Sequence, residues 1–442
     1  MVAAFPHTSA SASTTAPAHP LRFLACTLAL AGSFVGYWLL NYSAFPLFDP
    51  VYFWTREASA VVGGITLTAL AFASYWHPSL FTSRRFFAAA VSTMIAGSLV
   101  MTAGIFASLP AVLVCGAALV TVGTGLANII VGIGCIGLDM RRLGISVTAA
   151  YVLAYALRGV FALLPWEANL ALFCFIPLLT VALVAPYARP LLDQVYAEGS
   201  PAQAAVTAPS SFLPFGHQLF VCLLLFSAVQ GFMLTFGETG GIPATSIWSL
   251  AILAVVLVVA CLAPRRLTTD ALLKLAALLA IAGLLLVPAS DLIRFSISNG
   301  LISCGIAAFD VFQWIVLTAL ARRNMHGAVS VFAWGSAMHA IGVILGANAG
   351  RFVNHYWTSD VQVVVLAVAG IVFCLVVAMS VFLQHFSFEK TINGVRESVP
   401  PVLVDSADED DASEERALTV DERCEVLSQQ KGLTKRETEV LH

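Results

Sequence analysis

Residues Phe309–Arg323 read FDVFQWIVLTALARR. Two arginines close an apolar run that carries an aspartate and a glutamine near its start. Roughly 20 apolar residues in helical form cross the hydrocarbon layer of a bilayer, and arginine and lysine gather at the cytoplasmic ends of such helices. Asp310 stands 12 residues before Arg322 (322 − 310), about 18 Å along a helix. The stretch therefore reads as a membrane helix with its inner end at the arginines and a carboxylate near the midplane, where an ionisable group is costly and points to function.

The rest of the chain fits that setting. Of 442 residues, 59% are hydrophobic and 11% charged, and the mean hydropathy is +0.89. Soluble domains carry about 25% charged residues, so a soluble fold is excluded. Twelve apolar stretches follow one another, from about Phe23–Tyr42 to about Val361–His385; the sixth, Leu170–Ala185, is the shortest. Residues 1–20, rich in Ser, Thr, Ala and Pro with no basic segment before an apolar core, read as a disordered leader rather than a signal peptide. Eight of the nine cysteines fall inside apolar runs with no C-x-x-C pair, so they read as small buried residues.

Four arginine pairs, Arg84-Arg85, Arg141-Arg142, Arg265-Arg266 and Arg322-Arg323, fall after helices two, four, eight and ten. With those loops inside, the inner loops hold eleven Lys/Arg against three outside (Arg56, Arg294 and Arg351). Both termini are then cytoplasmic, and a multi-pass protein of the inner (plasma) membrane is expected. The pairs also repeat: 265 − 84 and 322 − 141 both equal 181, and 141 − 84 and 322 − 265 both equal 57. Two parallel six-helix halves, 21–185 and 215–385, joined by a Pro/Ser/Ala-rich linker at 186–214, account for both intervals.

Twelve helices in a parallel six-plus-six arrangement resemble the major facilitator fold. That family's Gly-x-x-x-Asp-Arg-type loop after helix two is absent, since the chain has HPSLFTSRR (His77–Arg85) there and APRRLTTD (Ala263–Asp270) in the second half. The departure favours a use of the fold other than transport.

The polar residues at membrane depth are Asn128, Arg158, Gln230, Asp310, Gln313, His339 and Asn348. One reading makes Asn128, Arg158, Gln230, Asp310, Gln313 and His339 a ligand pocket between the halves, and the resemblance puts helices four, seven and ten around a central cavity. The other makes Arg158–Asp310 or Asp310–His339 a pair that holds helices together. Proton coupling through Asp310 or His339 overlaps the first. Phe232, Phe309, Trp314 and Trp334 could stack on a planar ligand or pack between helices. Gly342, Gly346 and Gly350, spaced by four, suit close helix approach. No nucleophile–base set, paired acid and base carboxylates or metal-spaced histidines occur, so neither an enzyme nor a cofactor is expected.

After Phe386 the chain turns acidic. Residues 386–442 hold 7 Lys/Arg and 14 Asp/Glu, a net −7, with DSADEDDASEER at Asp405–Arg416 as a solvated linker within 386–431. In Leu433–Leu441, LTKRETEVL, Thr434 and Glu437 form a capping box that starts a helix. This segment, 432–442, resembles the first helix of the LuxR-type (GerE-like) helix-turn-helix domain, with the rest of that domain cut off. The resemblance implies a membrane-anchored transcriptional regulator whose membrane region senses a small molecule. DNA would be a partner only through the missing domain, and a homodimer would suit paired half-sites. Membrane lipid and an unidentified small molecule complete the expected partners. The alternative is a facilitator-type secondary transporter of a small organic solute.

Overall fold

The computed structural model describes residues 20–77, 81–197, 213–235, 248–262, 268–287, 292–357, 361–377, 379–380 and 387–395. Among them the chain is all helical. The helices are α1 (Pro20–Phe48), α2 (Thr55–Trp76), α3 (Ser83–Ala107), α4 (Pro110–Cys135), α5 (Met140–Phe161), α6 (Trp166–Ala197), α7 (Gln218–Thr235), α8 (Trp248–Leu262), α9 (Thr269–Leu286), α10 (Leu292–Arg323), α11 (Ala328–Trp357), α12 (Val361–Val377) and α13 (Phe388–Gly394). Ten of these are long and apolar enough to cross a membrane, while α8 and α12 are shorter apolar helices. The protein is a multi-pass membrane protein. The expected leader, most of the linker, Arg265-Arg266 and the whole C-terminal stretch with Thr434 and Glu437 lie outside the described residues.

Local chemistry sets the helix starts. The side chain of Thr82 accepts from the Arg85 N–H (3.4 Å), Asp139 from Arg142 (2.6 Å) and Thr268 from Ala271 (3.2 Å), each satisfying an orphan donor of the first turn. Asn324 accepts from the Gly327 N–H at 3.0 Å ahead of α11. The threonine caps of α3 and α9 stand 186 residues apart (268 − 82). α6 runs through Pro177, Pro186 and Pro190, continuing past the expected boundary at 185, because neighbouring membrane helices make up for the bonds proline removes.

α1 is broken by one π turn, Leu40–Ala44, where the Phe45 N–H bonds to the Leu40 carbonyl. Pro46 follows. It has no N–H to give to the carbonyl of Tyr42 four residues back, and the turn widens ahead of it.

Glycines set the closest approaches. A Cβ on Gly97 would lie 2.5 Å from the Val120 nitrogen, and one on Gly104 2.5 Å from that of Leu113, so α3 and α4 touch backbone to backbone. α7 and α11 meet the same way: a Cβ on Gly342 or Gly346 would collide with the carbonyls of Leu224 or Ala228, and one on Gly231 with that of Val343. α2 packs on α11 and α5 on α8, while α1 lies against α5 and α6 and α9 against α10. The short α13 docks beneath α9 and α10, burying Phe388, Ile392 and Val395. Asp270 holds it there, accepting from the Ser387 hydroxyl (2.5 Å) and the Phe388 N–H (2.7 Å).

Candidate functional site

A cavity of about 320 Å³ lies among α1, α2, α4, α5, α10 and α11. Its deepest charged group is Asp310. Oδ1 accepts from Gln230 Nε2 of α7 at 3.0 Å, and Oδ2 accepts from the Tyr151 hydroxyl of α5. Gln313 and Trp314, three and four residues on, share Asp310's face of α10 and line the same space. The ring of Phe34 packs on Tyr151 (centroids 4.2 Å apart) and meets Trp314 edge-on at 5.9 Å. The π turn brings Leu40 and Asn41 to the wall, where Asn41 is pinned by its bond to the Tyr37 carbonyl (2.9 Å).

Of the six residues expected at a pocket, Asn128, Asp310, Gln313 and His339 line this cavity, and Gln230 joins it through Asp310. His339 Nδ1 is 2.9 Å from the Ser227 hydroxyl of α7, so its partner is not Asp310. Arg158 is elsewhere. Its guanidinium lies 5.2 Å from the centroid of Trp38 and 4.6 Å from that of Tyr42. It sits seven residues, about two turns of α5, beyond the Tyr151 that reaches Asp310. Among the named aromatics, Trp314 faces the cavity, whereas Phe309 is buried, stacked on Phe226 at 5.5 Å.

Arg56 and Arg351 count in the sequence only as outer-loop charges, and Glu57, at a helix margin, is not singled out. The helices extend further than hydropathy suggested, and Arg56 and Glu57 line the cavity mouth from the first turn of α2. Glu57 forms an ion pair with Arg351 of α11, and Arg351 also covers the Phe53 ring at 5.4 Å. Arg56 lies 4.8 Å from the centroid of Phe45. Tyr151 was also missed. An uncharged tyrosine in an apolar helix carries no signal until its partner is known.

The other end of the cavity is shut. Phe72 of α2 meets Phe215 at 4.9 Å and Trp334 of α11 at 5.5 Å, and Trp334 Nε1 donates to the Phe215 carbonyl at 2.9 Å. At this end Arg141 and Arg322 act as caps for neighbouring chain ends. Arg141 donates to the Cys261 carbonyl at the end of α8 (3.3 Å), and Arg322 to the Leu138 carbonyl just past α4 (3.1 Å). Cations suit these exposed carbonyls, which carry the negative ends of the helix dipoles.

No family model and no curated protein matches the sequence. Solved structures do match. The chain is similar to a bacterial homologue of the iron transporter ferroportin in its outward-facing state, at 14% identity and a TM-score of 0.54, over 84% of this chain and 98% of that one. It is similar to the proton:xylose symporter XylE (11%, TM-score 0.55, over 82% and 95%) and to the transporter FucP in its outward conformation (14%, TM-score 0.51, over 83% and 98%). The fold is that of the major facilitators.

This corrects the regulator reading. The fold likeness takes in more than four-fifths of the chain, and these solved neighbours are transporters, whereas no family model, LuxR-type or other, matches the tail. The nine residues Leu433–Leu441 misled for a physical reason. Thr followed by Glu three residues on, ahead of an apolar pair, is what many solvent-exposed helices need at their start, so the pattern does not single out a DNA-binding domain. The DNA partner, and the homodimer argued from it, fall with that reading.

Proposed function

We propose that the protein is a secondary transporter of the major facilitator type, carrying a small organic solute through the cavity above Asp310. Support comes chiefly from one observation. In a facilitator fold, a cavity with a polar floor is sealed at one end by Phe72, Phe215 and Trp334 and bridged at the other by Glu57 and Arg351. Both closures join α2, from the first six helices, to α11, from the last six. Rocking one set of helices against the other would open one closure at a time, which is alternating access around a fixed site.

In this reading α8 and α12 complete twelve crossings in two parallel halves. The arginine pairs face the cytoplasm of a cell whose inner membrane holds the protein, and both termini lie inside. Arg141 and Arg322 do the work of a loop signature, binding carbonyls exposed beyond α8 and α4 when the inner side is shut. Asn128, Gln230, Asp310, Gln313 and His339 are the ligand-facing groups, and Arg158 is a packing cation.

The test is uptake into proteoliposomes from a defined mixture of small metabolites, read by mass spectrometry against protein-free vesicles. Accumulation of at least one solute, lost in Asp310→Asn, supports transport. No accumulation of any solute by protein with a cooperative thermal melt would sink it.

A further inference from the structure

Asp310 is held by neutral donors, and two buried acceptors stand beside it without donors. Both carboxylate oxygens receive bonds from neutral donors, the Tyr151 hydroxyl and the Gln230 amide. Among the described residues no cation forms an ion pair with Asp310. Arg158 lies over Trp38 and Tyr42, and Arg351 is engaged by Glu57. Because Gln230 Nε2 must face the carboxylate, its Oε1 points away from it, and that oxygen is buried without a hydrogen-bond partner. Gln313 Oε1, on the cavity wall, is likewise buried and unpartnered; the two residues are only 2% and 8% exposed. A charge away from bulk water without a counter-charge and buried acceptors without donors are both unfavourable; Arg56 stands over Phe45 at the cavity mouth, so the Asp310 end lacks a positive group carrying N–H bonds.

We infer that the solute is an organic cation of the amine class, its ammonium lodged against Asp310 and Gln313 and its body against Phe34, Tyr37 and Trp314. An ammonium supplies what is missing: a positive charge and up to three N–H donors. The aromatic walls add attraction for a cation within about 6 Å of a ring. At about 320 Å³ the cavity sits near the small end of ligand pockets, roughly 300–1,000 Å³, which suits a single aromatic ring system. Carboxylates would be repelled by Asp310 across a medium of low dielectric. A divalent metal finds too few ligands, since no group of three His, Cys, Asp or Glu side chains occurs among the described residues. The inference rests on the transporter reading, but binding can be measured without flux.

Detergent-purified full-length protein would be melted with tryptamine, phenethylamine and butylamine, with the matching acids (indole-3-propionate, 3-phenylpropionate, valerate), with the matching alcohols, and with sodium or ferrous ion alone. The aromatic amines are expected to bind at least about tenfold more tightly than their acids and alcohols, a difference of one decade in Kd. Asp310→Asn removes that preference. Should Asp310→Asn fail to fold, Gln313→Leu, which keeps the charge, is expected to weaken amine binding by roughly three- to tenfold while acid binding stays as weak as before. Acids or alcohols binding as well as amines, an amine preference that survives Asp310→Asn, or stabilisation by an inorganic cation and by no amine would overturn the inference. Uptake of a neutral or anionic solute with no amine binding defeats the amine assignment and leaves transport standing. Amine binding with no flux of any solute defeats transport alone.

Discussion

Glu57, in the first turn of α2, forms an ion pair with Arg351, near the far end of α11, although 294 residues separate them (351 − 57). Each side chain is only 15% exposed. The pair closes the end of the cavity away from the arginine pairs, so it should resist opening on that side. Removing one partner strands a mostly buried charge, which costs about 3–5 kcal/mol when burial is complete and roughly 1–3 kcal/mol where some water remains. Arg351→Met and Glu57→Gln should each lower the melting temperature. The double variant should lose less than the sum of the two. Additive losses would show that the pair contributes no coupling.

The glycine seam between α7 and α11 gives a second prediction. Gly346→Ala puts a methyl group into the Ala228 carbonyl and should cost about 1–3 kcal/mol, as overpacking does. Gly370 of α12 has nothing within 4 Å of an added Cβ. Gly370→Ala should therefore be neutral or stabilise by up to about 1 kcal/mol through helix propensity. Equal effects on thermal unfolding would contradict the close approach of α7 to α11.

The docking of α13 depends on Asp270. Hydrogen bonds to a charged group contribute about 1.5–3 kcal/mol each, and Asp270 accepts two, from Ser387 and Phe388. Asp270→Ala should raise hydrogen exchange in Phe388–Gly394 by about tenfold or more and leave α9 largely protected. Ser387→Ala removes one bond and the helix cap, and should give a smaller rise. Unchanged exchange in both variants would mean that Phe388, packed edge-on against Phe312 at 4.9 Å, holds the helix by itself.

The aromatic seal can be tested by access. Ser336 lines the cavity two residues beyond Trp334. In a background with the native cysteines replaced by serine, Ser336→Cys should react slowly with an impermeant maleimide added on the arginine-pair side. Trp334 is a large, partly buried aromatic of the seal, so adding Trp334→Ala should open this end and speed labelling by about tenfold or more. If labelling stays slow, Phe72 and Phe215 close the passage without Trp334.

Much of the fold is legible in the residues because its causes are local. Whether a stretch can cross the bilayer depends on its own apolar length. The depth of Asp310 along its helix follows from counting to Arg322. The same locality explains the error at Leu433–Leu441. A capping box is a true local signal for a helix start, but it says nothing of the domain that follows.

The partners of Asp310 were decided elsewhere. Tyr151 and Gln230 lie 159 and 80 residues away, and which side chain reaches the carboxylate depends on how α5, α7 and α10 are rotated about their axes. That rotation is set by packing, with α7 drawn onto α11 at Gly231, Gly342 and Gly346. Arg158 had the charge to pair with Asp310, yet it lies over the rings of Trp38 and Tyr42, while Glu57 meets Arg351 because the start of α2 and the end of α11 converge. By itself the sequence determined a bundle of membrane helices with one carboxylate among them, since hydropathy acts on each helix alone. Only the tertiary structure decided which groups face that carboxylate, because hydrogen bonds and ion pairs require contact between helices that the chain order does not specify.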